Sequence, residues 1–456
     1  MKRKFTSLII FFLMSPLLLF SQQKVWTLEE AIGHALQNNI QIKQQEIATK
    51  YQAAALELSK MSQLPTLNGS ASHNYSFGRA LDETTYEFTD NQTVQSNNFS
   101  ASTGITLFRG LVTYNTIKRN RYQLMASEQD LEGFKDDISM NIALAYLQIL
   151  LNTELVTATV AQVAMTKQQI DRTQKLVDAG SLARGNLLDI EAQAAREELQ
   201  LINLQNQLTM SYLTLAQMLE LPSVDDFAVA IPEITIDPVS VTGDPAGIFS
   251  IAEKTRPEIL GAEYRLKGSE YDLAIAKGGR SPRLGFGASV GTAYSDNRIN
   301  PFTLQPYTFR NQLSDNLNYG VGFSLNIPIL NGWQVNTNIS NSKLGIESSK
   351  YTLEATRKQL YKNIQQAFTD ATGALKKYSA SRKAVEAMEE SFRYAESKLN
   401  QGMVTAVEYN QSKTQLLNAQ SEMAQAKYEY VFKTKVLDFY KGIPITLQHL
   451  NILAKF

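Results

Sequence analysis

Four segments of the sequence alternate between apolar residues and small polar residues with a period of two. They cover residues 66–77, 98–107, 283–294 and 316–328. At about 10–13 residues, each has the length that a tilted strand needs to cross an outer membrane within a β-barrel. A soluble sheet with one wet face would alternate equally well, but the serine, glycine and asparagine residues on the polar face favour a water-filled lumen. His73 falls on the apolar face, so either it lies near a membrane interface or the register of that strand differs.

A different pattern, with apolar side chains every seven residues, predicts long helices over residues 111–178 and 333–400. A period of 3.5 residues per turn requires supercoiled packing against another helix. The same period continues over residues 185–219 and 405–441. At 1.5 Å per residue, each long helix would extend for about 100 Å. Helices of this length form a rod that is about right for crossing a periplasm.

Each long helix is separated from the next helix by a short turn that contains glycine. The first turn is Asp178-Ala179-Gly180-Ser181 and the second is Asn400-Gln401-Gly402. Glycine commonly ends a helix because it adopts the left-handed conformation without strain. Each pair of helices should therefore form an antiparallel hairpin. A further helix over residues 27–62, opened by a capping box of Thr27 and Glu30, should stack end to end with the shorter hairpin helix.

The sequence contains two copies of one repeat unit. Gly110 matches Gly332 and Gly180 matches Gly402, both at an offset of 222 residues. Such self-similarity indicates two copies of one supersecondary unit. The first copy is predicted at 22–222, with strands at 65–78 and 97–108 and helices at 111–178 and 185–219. The second is predicted at 248–441, with strands at 282–294 and 315–328 and helices at 333–400 and 405–441. A proline-containing linker at 223–247 and a tail at 442–456 complete the organisation.

The first residues indicate export. Residues 2–4 are basic, residues 5–20 form an apolar region, and Ser21 is a small residue at a suitable cleavage point, which predicts a signal peptide at 1–21. A run of about 16 residues is short for the ~30 Å of a membrane, so a cleaved peptide is favoured over a membrane anchor. We expect no other stretch of 18 apolar residues that spans a membrane. Entry into a membrane would then require a closed β-barrel.

Composition narrows the function classes. The 456 residues carry 44 basic and 44 acidic side chains, so no basic field points to nucleic acid. Cysteine is absent, which excludes disulfides, thiolate metal sites, cysteine nucleophiles and a lipid anchor on cysteine. The histidines, His34, His73 and His449, lack metal-ligand spacing, and no phosphate loop or nucleophile elbow occurs. We therefore expect no enzyme activity, no cofactor and no metal site.

Four strands in one chain are too few to close a barrel, and open strand edges are not tolerated in lipid. The chain must therefore assemble with copies of itself. Two copies would give 8 strands with a filled interior, three would give 12 and four would give 16. The sequence alone favours three or more copies. The loops at 79–95 and 295–315 should lie outside the cell, where they either constrict the mouth of the barrel or are ordinary solvated loops.

The chain resembles the TolC-like outer membrane efflux proteins over its whole length after the signal peptide. The resemblance is carried by Trp26-Thr27-Leu28-Glu29-Glu30-Ala31, Leu107-Phe108-Arg109-Gly110, Pro328-Ile329-Leu330-Asn331-Gly332 and the turns at Gly180 and Gly402. It implies an α+β membrane protein, in which a homotrimer forms a 12-stranded transmembrane β-barrel, with four strands per chain, continuous with a long α-helical coiled-coil barrel. It also implies a periplasmic adaptor and an inner-membrane pump as partners. The linker and the tail would form an equatorial belt around the tunnel.

The resemblance also implies candidate site residues near the hairpin tips. Adaptor docking is expected at Gly180, Ser181, Leu182, Gly402, Met403 and Val404. The pore constriction is expected at Glu408, Gln411, Asn186 and Asp189, where related proteins often carry acidic rings. Glu408 and Asp189 are equally well explained as solvated carboxylates on a helix surface. The charged and aromatic lock of well-known members falls on Leu399 and Val404, so that lock does not carry over.

These observations favour the outer membrane exit duct of a tripartite efflux system or of a type I secretion system. The cargo stays open among drugs, metal ions, dyes and a secreted polypeptide. The alternative is a trimeric coiled-coil protein with a structural or adhesive role in the envelope. That alternative would not need two amphipathic strand pairs joined to the helices at a glycine.

Overall fold

The computed structural model describes residues 24–447, except for residues 80, 82–85, 89, 225–226, 233, 235, 237–242, 301 and 304. The expected signal peptide at 1–21 and residues 448–456 of the expected tail lie outside this part of the chain. The helices are α1 (Leu28–Asn38), α2 (Ile40–Met61), α3 (Val112–Asp178), α4 (Arg184–Met218), α5 (Pro245–Thr255), α6 (Pro257–Gly278), α7 (Phe309–Asp315), α8 (Gln334–Asn400) and α9 (Ala406–Tyr440). The strands are β1 (Lys24–Trp26), β2 (Thr66–Gly78), β3 (Gln92–Arg109), β4 (Phe227–Val229), β5 (Arg283–Ser295) and β6 (Asn318–Asn326).

Two helices of 67 residues each, α3 and α8, extend along the helical part of the molecule. α4 packs back along α3, and α9 packs back along α8, which gives two helical hairpins. Asn39 Nδ2 donates to Met218 O at 3.2 Å, so α4 ends where α2 begins. The shorter helices therefore stack end to end along α3, as their lengths predict. At 1.5 Å per residue, each long helix extends for about 100 Å.

The helix expected over residues 27–62 is broken at Asn39, which separates α1 from α2. Asn39 has a ψ of 127°, and its side chain accepts hydrogen bonds from two backbone N–H groups that follow it. An asparagine in this position caps a new helix, whereas the sequence pattern alone reads as one continuous helix. A similar break separates α5 from α6 at Arg256, where Pro257 disfavours the helical conformation of the residue before it.

β2, β3, β5 and β6 form one antiparallel sheet in that order. β3 begins at Gln92 and not at the expected residue 97, because it stays paired with β2 as far as Gly78. β6 is shorter than the strand expected at 315–328, because α7 occupies the chain as far as Asp315. Within the described residues, no strand pairs with the outer edge of β2 or with that of β6.

The register of the sheet gives it one apolar face and one polar face. The apolar face includes Phe99, Phe286, Val290, Tyr319, Val321 and Phe323. The polar face includes Ser70, Ser100, Gly287, Ser289, Gly320 and Gly322. His73 lies on the apolar face opposite Asn97, as the alternation predicts. Tyr319, Val321 and Phe323 are 84%, 78% and 72% exposed, so the described part of the chain leaves this face largely uncovered.

Two hydrophobic cores fix the hairpins to the rest of the chain. The first contains Trp26, Leu28, Ile142, Tyr146, Leu150, Leu215 and Phe227. The second contains Ile248, Ile259, Leu360, Ile364 and Leu437. In the first core, the hydroxyl of Tyr146 lies within hydrogen-bond distance of Trp26 O at 3.1 Å and of Ala230 O at 2.6 Å. The parallel pair of β1 and β4 is thereby fastened to α3.

The expectation that no second apolar stretch is long enough to span a membrane is wrong for α3. This helix contains an 18-residue window with a mean hydropathy of 1.3, which meets the requirement by length and composition. Half of that window is buried inside the protein. α3 supplies Ile142, Tyr146 and Leu150 to the first core, so its apolar side chains are explained by packing.

Each strand pair is joined to its long helix by two consecutive residues in the left-handed conformation. Gly110 and Leu111 have φ values of 57° and 59°, and Gly332 and Trp333 have φ values of 57° and 66°. The surroundings of the two glycines differ. A Cβ on Gly110 would lie 2.7 Å from the carbonyl oxygen of Gly278, whereas a Cβ on Gly332 would meet nothing within 4 Å.

We predict that Gly110→Ala destabilises the protein more than Gly332→Ala. An alanine in the left-handed conformation costs about 1–2 kcal/mol at either position. At Gly110 the new methyl group also meets a backbone carbonyl, so an overpacking cost of roughly 1–3 kcal/mol is added. Urea-induced loss of helical circular dichroism in detergent measures the difference. Equal losses of stability in the two variants would contradict the prediction.

Candidate functional site at the hairpin tips

The turns at the two hairpin tips share one hydrogen-bond geometry. In the first turn, Gly180 has a φ of 74°, and the N–H groups of Gly180 and Ser181 donate to carbonyls of the last turn of α3 at 2.9 and 2.8 Å. In the second turn, Gly402 has a φ of 71°, and Gly402 and Met403 make the same two bonds to α8 at 3.0 and 2.9 Å. Glycine permits this way of ending a helix. The structure therefore places these predicted docking residues at the tips.

Apolar side chains are exposed around both tips. Met403 and Leu182 are 69% and 37% exposed, and Val407 and Leu188, close to the starts of α9 and α4, are 58% and 54% exposed. Val404 is half-buried. A group of exposed apolar side chains suits contact with another protein. Docking at these residues stays a prediction.

Glu408 has a structural partner that the sequence analysis did not assign to it. Its carboxylate accepts a hydrogen bond from the backbone N–H of Thr405 at 2.9 Å, and the Thr405 hydroxyl accepts one from the backbone N–H of Glu408 at 3.2 Å. This capping box closes the first turn of α9. Glu408 is nevertheless an exposed residue, so its charge stays accessible to solvent ions.

The four predicted constriction residues form two separate pairs within one chain. Glu408 and Gln411 lie three residues apart on α9, and Asn186 and Asp189 lie three residues apart on α4, so each pair shares a helix face. In the part of the chain that the structure covers, no hydrogen bond or ion pair joins one pair to the other. A ring of such side chains requires further copies of the chain, and the constriction stays a prediction.

A buried group of polar side chains joins the two hairpins. This hairpin cluster consists of Gln162 and Thr166 on α3, Glu197 on α4 and Lys413 on α9, with exposures of 4%, 1%, 6% and 3%. Lys413 Nζ donates to Gln162 O at 3.1 Å and to the Thr166 hydroxyl, and it lies 3.7 Å from Glu197 Oε1. The Thr166 hydroxyl donates to the Glu197 carboxylate, and Gln162 Nε2 donates to the same carboxylate at 2.9 Å.

In the hairpin cluster, the Lys413 ammonium group donates two hydrogen bonds, to Gln162 O and to the Thr166 hydroxyl, and forms an ion pair with Glu197. Burial lowers the pKa of Lys413, and the negative charge of Glu197 opposes that shift. Because the folded chain then holds this proton less tightly than the unfolded chain, the contribution of Lys413 to stability becomes more favourable as the pH rises through its lowered pKa. Near neutral pH, removal of either charged partner would leave the other charge buried and unpaired.

The apolar pattern of the sequence does not predict the hairpin cluster, although two residues in it carry a signal. Lys413 lies four residues after Tyr409 on the apolar stripe of α9, and Glu197 lies three residues after Ala194 on the apolar stripe of α4. A polar residue on such a stripe often fixes the register of a coiled coil. The seven-residue pattern is defined by apolar residues only, so it assigns no role to the polar residues Lys413 and Glu197 within it.

Further polar contacts and a cleft lie on the boundary between the two hairpins. Glu154 on α3 accepts hydrogen bonds from Lys427 Nζ at 3.0 Å and from the Tyr428 hydroxyl at 2.9 Å, both on α9. A cleft of about 410 Å³ lies beside the hairpin cluster and is lined in part by Met165 and Phe392. Apolar contacts add to these polar ones, because Ala424 on α9 packs with Leu155 on α3 and Leu204 on α4, and Tyr428 and Val431 on α9 belong to the first core.

Comparison with known proteins decides the family. The sequence model of the family described as "Outer membrane efflux protein" matches residues 31–220 and 248–439. The chain belongs to the outer membrane efflux protein family. Each matched range of this efflux protein contains one strand pair and one helical hairpin, and the gap between the ranges falls in the proline-containing linker.

Individual relatives agree with this membership. The efflux protein is 23% identical over 415 residues to outer membrane protein TolC of Escherichia coli (strain K12), which covers 86% of this chain and 76% of the relative. It is 20% identical over 418 residues to alkaline protease secretion protein AprF of Pseudomonas aeruginosa. This match covers 90% of this chain and 83% of the relative. Its fold matches the CmeC outer membrane channel of Campylobacter jejuni with a TM-score of 0.74 and 16% sequence identity. The match covers 94% of this chain and 89% of the channel chain. These comparisons match the transport interpretation and not the structural or adhesive alternative.

We predict that Lys413 and Glu197 are strongly coupled in their effects on stability. Lys413→Met leaves the Glu197 carboxylate buried without its ammonium partner and should cost about 3–5 kcal/mol. Combining Lys413→Met with Glu197→Leu should cost much less than the sum of the two single variants, with a coupling energy of about 1–3 kcal/mol. Urea unfolding in detergent, followed by circular dichroism, measures this cycle.

Lys167 and Glu198 provide a matched control pair. They join two helices as well, α3 and α4 of the first hairpin, at 2.9 Å, but their side chains are 61% and 48% exposed. An exposed pair should show a coupling energy of only ~0–1 kcal/mol. Additive losses of stability at Lys413 and Glu197, like those expected for the control, would argue against the buried ion pair.

Proposed function

We propose that this chain, as a homotrimer, forms the outer membrane exit duct of a tripartite efflux system or of a type I secretion system. The observation that carries the proposal is the sheet of four antiparallel strands. It has one apolar face, one polar face and, among the described residues, two outer edges without a partner strand. Membership in the efflux protein family supports the same conclusion.

Closure of the sheet is the physical reason for a trimer. Unpaired strand edges in lipid leave backbone N–H and C=O groups without hydrogen-bond partners. Pairing the outer edge of β2 in one copy with that of β6 in the next copy removes both edges. Three copies give a barrel of about 12 strands, which is wide enough for a conduit, whereas a barrel of about 8 strands has a filled interior. The apolar face then meets lipid, and the small side chains of the polar face line the lumen.

The proposal also assigns a place in the duct to each segment of the chain. Repeats at 22–222 and 248–441 each contribute two strands and one hairpin, while the segments at 223–247 and 442–456 form an equatorial belt. The described parts of these two segments support a belt, because β4 in the first pairs with β1. In the second, Leu447 N donates to Glu29 Oε1 at 3.1 Å. A cleaved signal peptide and the absence of a lipid anchor belong to the same proposal.

The hairpin tips are the proposed docking site for a periplasmic adaptor protein that connects the duct to an inner-membrane pump. They lie at the ends of α3 and α8 that are remote from the sheet, about 100 Å along each helix. Exposed apolar side chains at both tips suit burial against a protein partner. The docking residues are Gly180, Ser181, Leu182, Gly402, Met403 and Val404.

The proposed constriction lies just beyond the tips. It is lined by Glu408 and Gln411 from α9 and by Asn186 and Asp189 from α4, repeated in each copy of the chain. Acidic side chains around a narrow opening raise the local concentration of cations. The proposed duct should therefore prefer cations over anions.

Planar bilayer recordings of the purified protein, together with native mass spectrometry of the complex in detergent, test the proposed function. The expected result is a trimer with a small conductance that prefers cations. A monomer, or a stable oligomer that never conducts even after substitutions at the tips, would refute the duct.

We predict that Glu408→Gln lowers the ratio of cation to anion permeability by about two-fold or more. The fold of α9 should survive, because glutamine serves in a capping box as glutamate does. Glu422→Gln is the matched control, since it removes the same charge from α9 about 21 Å further from the tip. An unchanged permeability ratio in Glu408→Gln, or an equal drop in both variants, would contradict the constriction at Glu408.

A further inference from the structure

Helix α7 lies in the connection between β5 and β6 and is fastened to the end of the sheet. Gln312 is fully buried, at 0% exposure. Its Nε2 donates to Ser295 O at 2.7 Å, and Ser295 N donates to its Oε1 at 2.9 Å. Just after α7, Asn316 Nδ2 donates to Ala293 O at 2.6 Å. These bonds attach α7 to the last residues of β5.

The face of the sheet that α7 covers is the apolar face. The ring of Phe309 on α7 meets the rings of Phe99 and Tyr294, with centroids 6.4 and 4.9 Å apart. Thr292 Oγ1 donates to Leu313 O on α7 at 2.8 Å. Phe99 and Thr292 are paired in the register and share the apolar face. In the proposed barrel, α7 therefore lies outside the lumen, on the wall that meets lipid.

The position of α7 along β5 matches the edge of a membrane. Thr292 lies nine residues after Arg283, where β5 begins, and nine residues correspond to about 30 Å along a strand. With a tilt of about 40°, this distance is about 23 Å along the membrane normal, close to the ~25 Å apolar band of outer membrane barrels. With the start of the apolar band taken at Arg283, the proposed barrel places α7 at the level where the acyl chains end and the headgroups begin.

The side chains of the sheet at this height have the mixed character of a membrane interface. His73, Asn97 and Tyr294 occupy neighbouring positions on three strands of the apolar face. His73 forms a hydrogen bond with Asn97, and its ring meets that of Tyr75 with centroids 4.8 Å apart. Polar aromatic side chains are typical of the two ends of the apolar band. The histidine on the apolar face is thus explained by its height in the membrane and not by a different register.

We propose that α7 is an interfacial anchor, which lies flat on the outer wall of the barrel in the headgroup region of the outer leaflet. The inference rests on the proposed function, because it requires the apolar face of the sheet to meet lipid. Phe309 and Leu317, which are 45% and 54% exposed, contact the upper part of the acyl chains. Arg310, which is exposed, meets the headgroup phosphates, since long cationic side chains reach toward them. This role differs from both a constriction of the mouth and an ordinary solvated loop.

The absence of cysteine from the sequence makes single-cysteine labelling direct. An environment-sensitive fluorophore is attached to Ser314→Cys on α7, to Val321→Cys on the apolar face of β6, or to Ser391→Cys on α8 far from the sheet. All three residues are exposed. Each labelled oligomer is reconstituted into phosphatidylcholine vesicles that carry a nitroxide either on the headgroup or deep in the acyl chain.

We expect the headgroup nitroxide to quench the Ser314→Cys label several-fold more strongly than the Ser391→Cys label. The Val321→Cys label should respond to the acyl-chain nitroxide, and its failure to do so would overturn the proposed function itself. If Val321→Cys responds while Ser314→Cys behaves like Ser391→Cys, the anchor is refuted and the duct stands. Shielding of the Ser314→Cys label from both lipid nitroxide and aqueous iodide would also refute the anchor, because it would place a protein partner on α7.

A second variant tests whether Gln312 positions α7 on the wall. Gln312→Leu removes the two bonds to Ser295 and should reduce headgroup quenching of the Ser314→Cys label to near the Ser391→Cys level. Gln305→Leu is the matched control, since it is an exposed glutamine in the same connection. Quenching of the Val321→Cys label should stay unchanged in both variants, which reports an intact barrel. Unchanged quenching of the Ser314→Cys label in Gln312→Leu would overturn the positioning role of Gln312.

Discussion

The proposed architecture depends on one constraint, which is that backbone N–H and C=O groups at a strand edge need partners wherever water is absent. A sheet with β2 and β6 at its edges meets this need in lipid only by pairing with other copies. Once several copies surround a common axis, the helices that leave their sheets surround the same axis. The seven-residue apolar pattern then supplies the packing for a closed tube of helices. In the proposed assembly, the barrel and the tunnel both follow from the strand edges that have no partner among the described residues.

The passage from strand to helix takes place within two residues at each junction. Leu111 and Trp333 adopt the left-handed conformation, which is strained for residues with a large side chain. At the first junction, the close approach of Gly110 to Gly278 in the same chain holds this conformation. At the second junction the space around Gly332 is open within one chain. The second junction follows the edge strand β6, so in the proposed assembly it lies beside a neighbouring copy.

Periodicity predicts the regular elements well because each period has one structural cause. The ends of α3, α4, α8 and α9 lie within one residue of their expected positions, and the alternation in the strands gives both faces of the sheet. Local interactions account for what was missed. The break at Asn39 is a helix cap inside a continuous helical pattern, and α7 is too short to show a period. Lys413 and Glu197 lie in helix faces that the sequence identifies only by their apolar residues. The sequence of either helix alone therefore does not show that the two residues pair with each other.

The hairpin cluster connects stability to the geometry of the tips. A slip of one heptad between α9 and the first hairpin would keep most apolar positions in contact while displacing one tip relative to the other by about 10 Å. Such a slip would leave Lys413 and Glu197 buried without their partners, which is strongly unfavourable. A buried ion pair is not in general more stabilising than a well-packed apolar pair, so its effect here is on alignment. The proposed adaptor would require the two tips to be aligned if it contacts both hairpins. The hairpin cluster supports that alignment from inside the coiled coil and leaves the exposed side chains of the tips free.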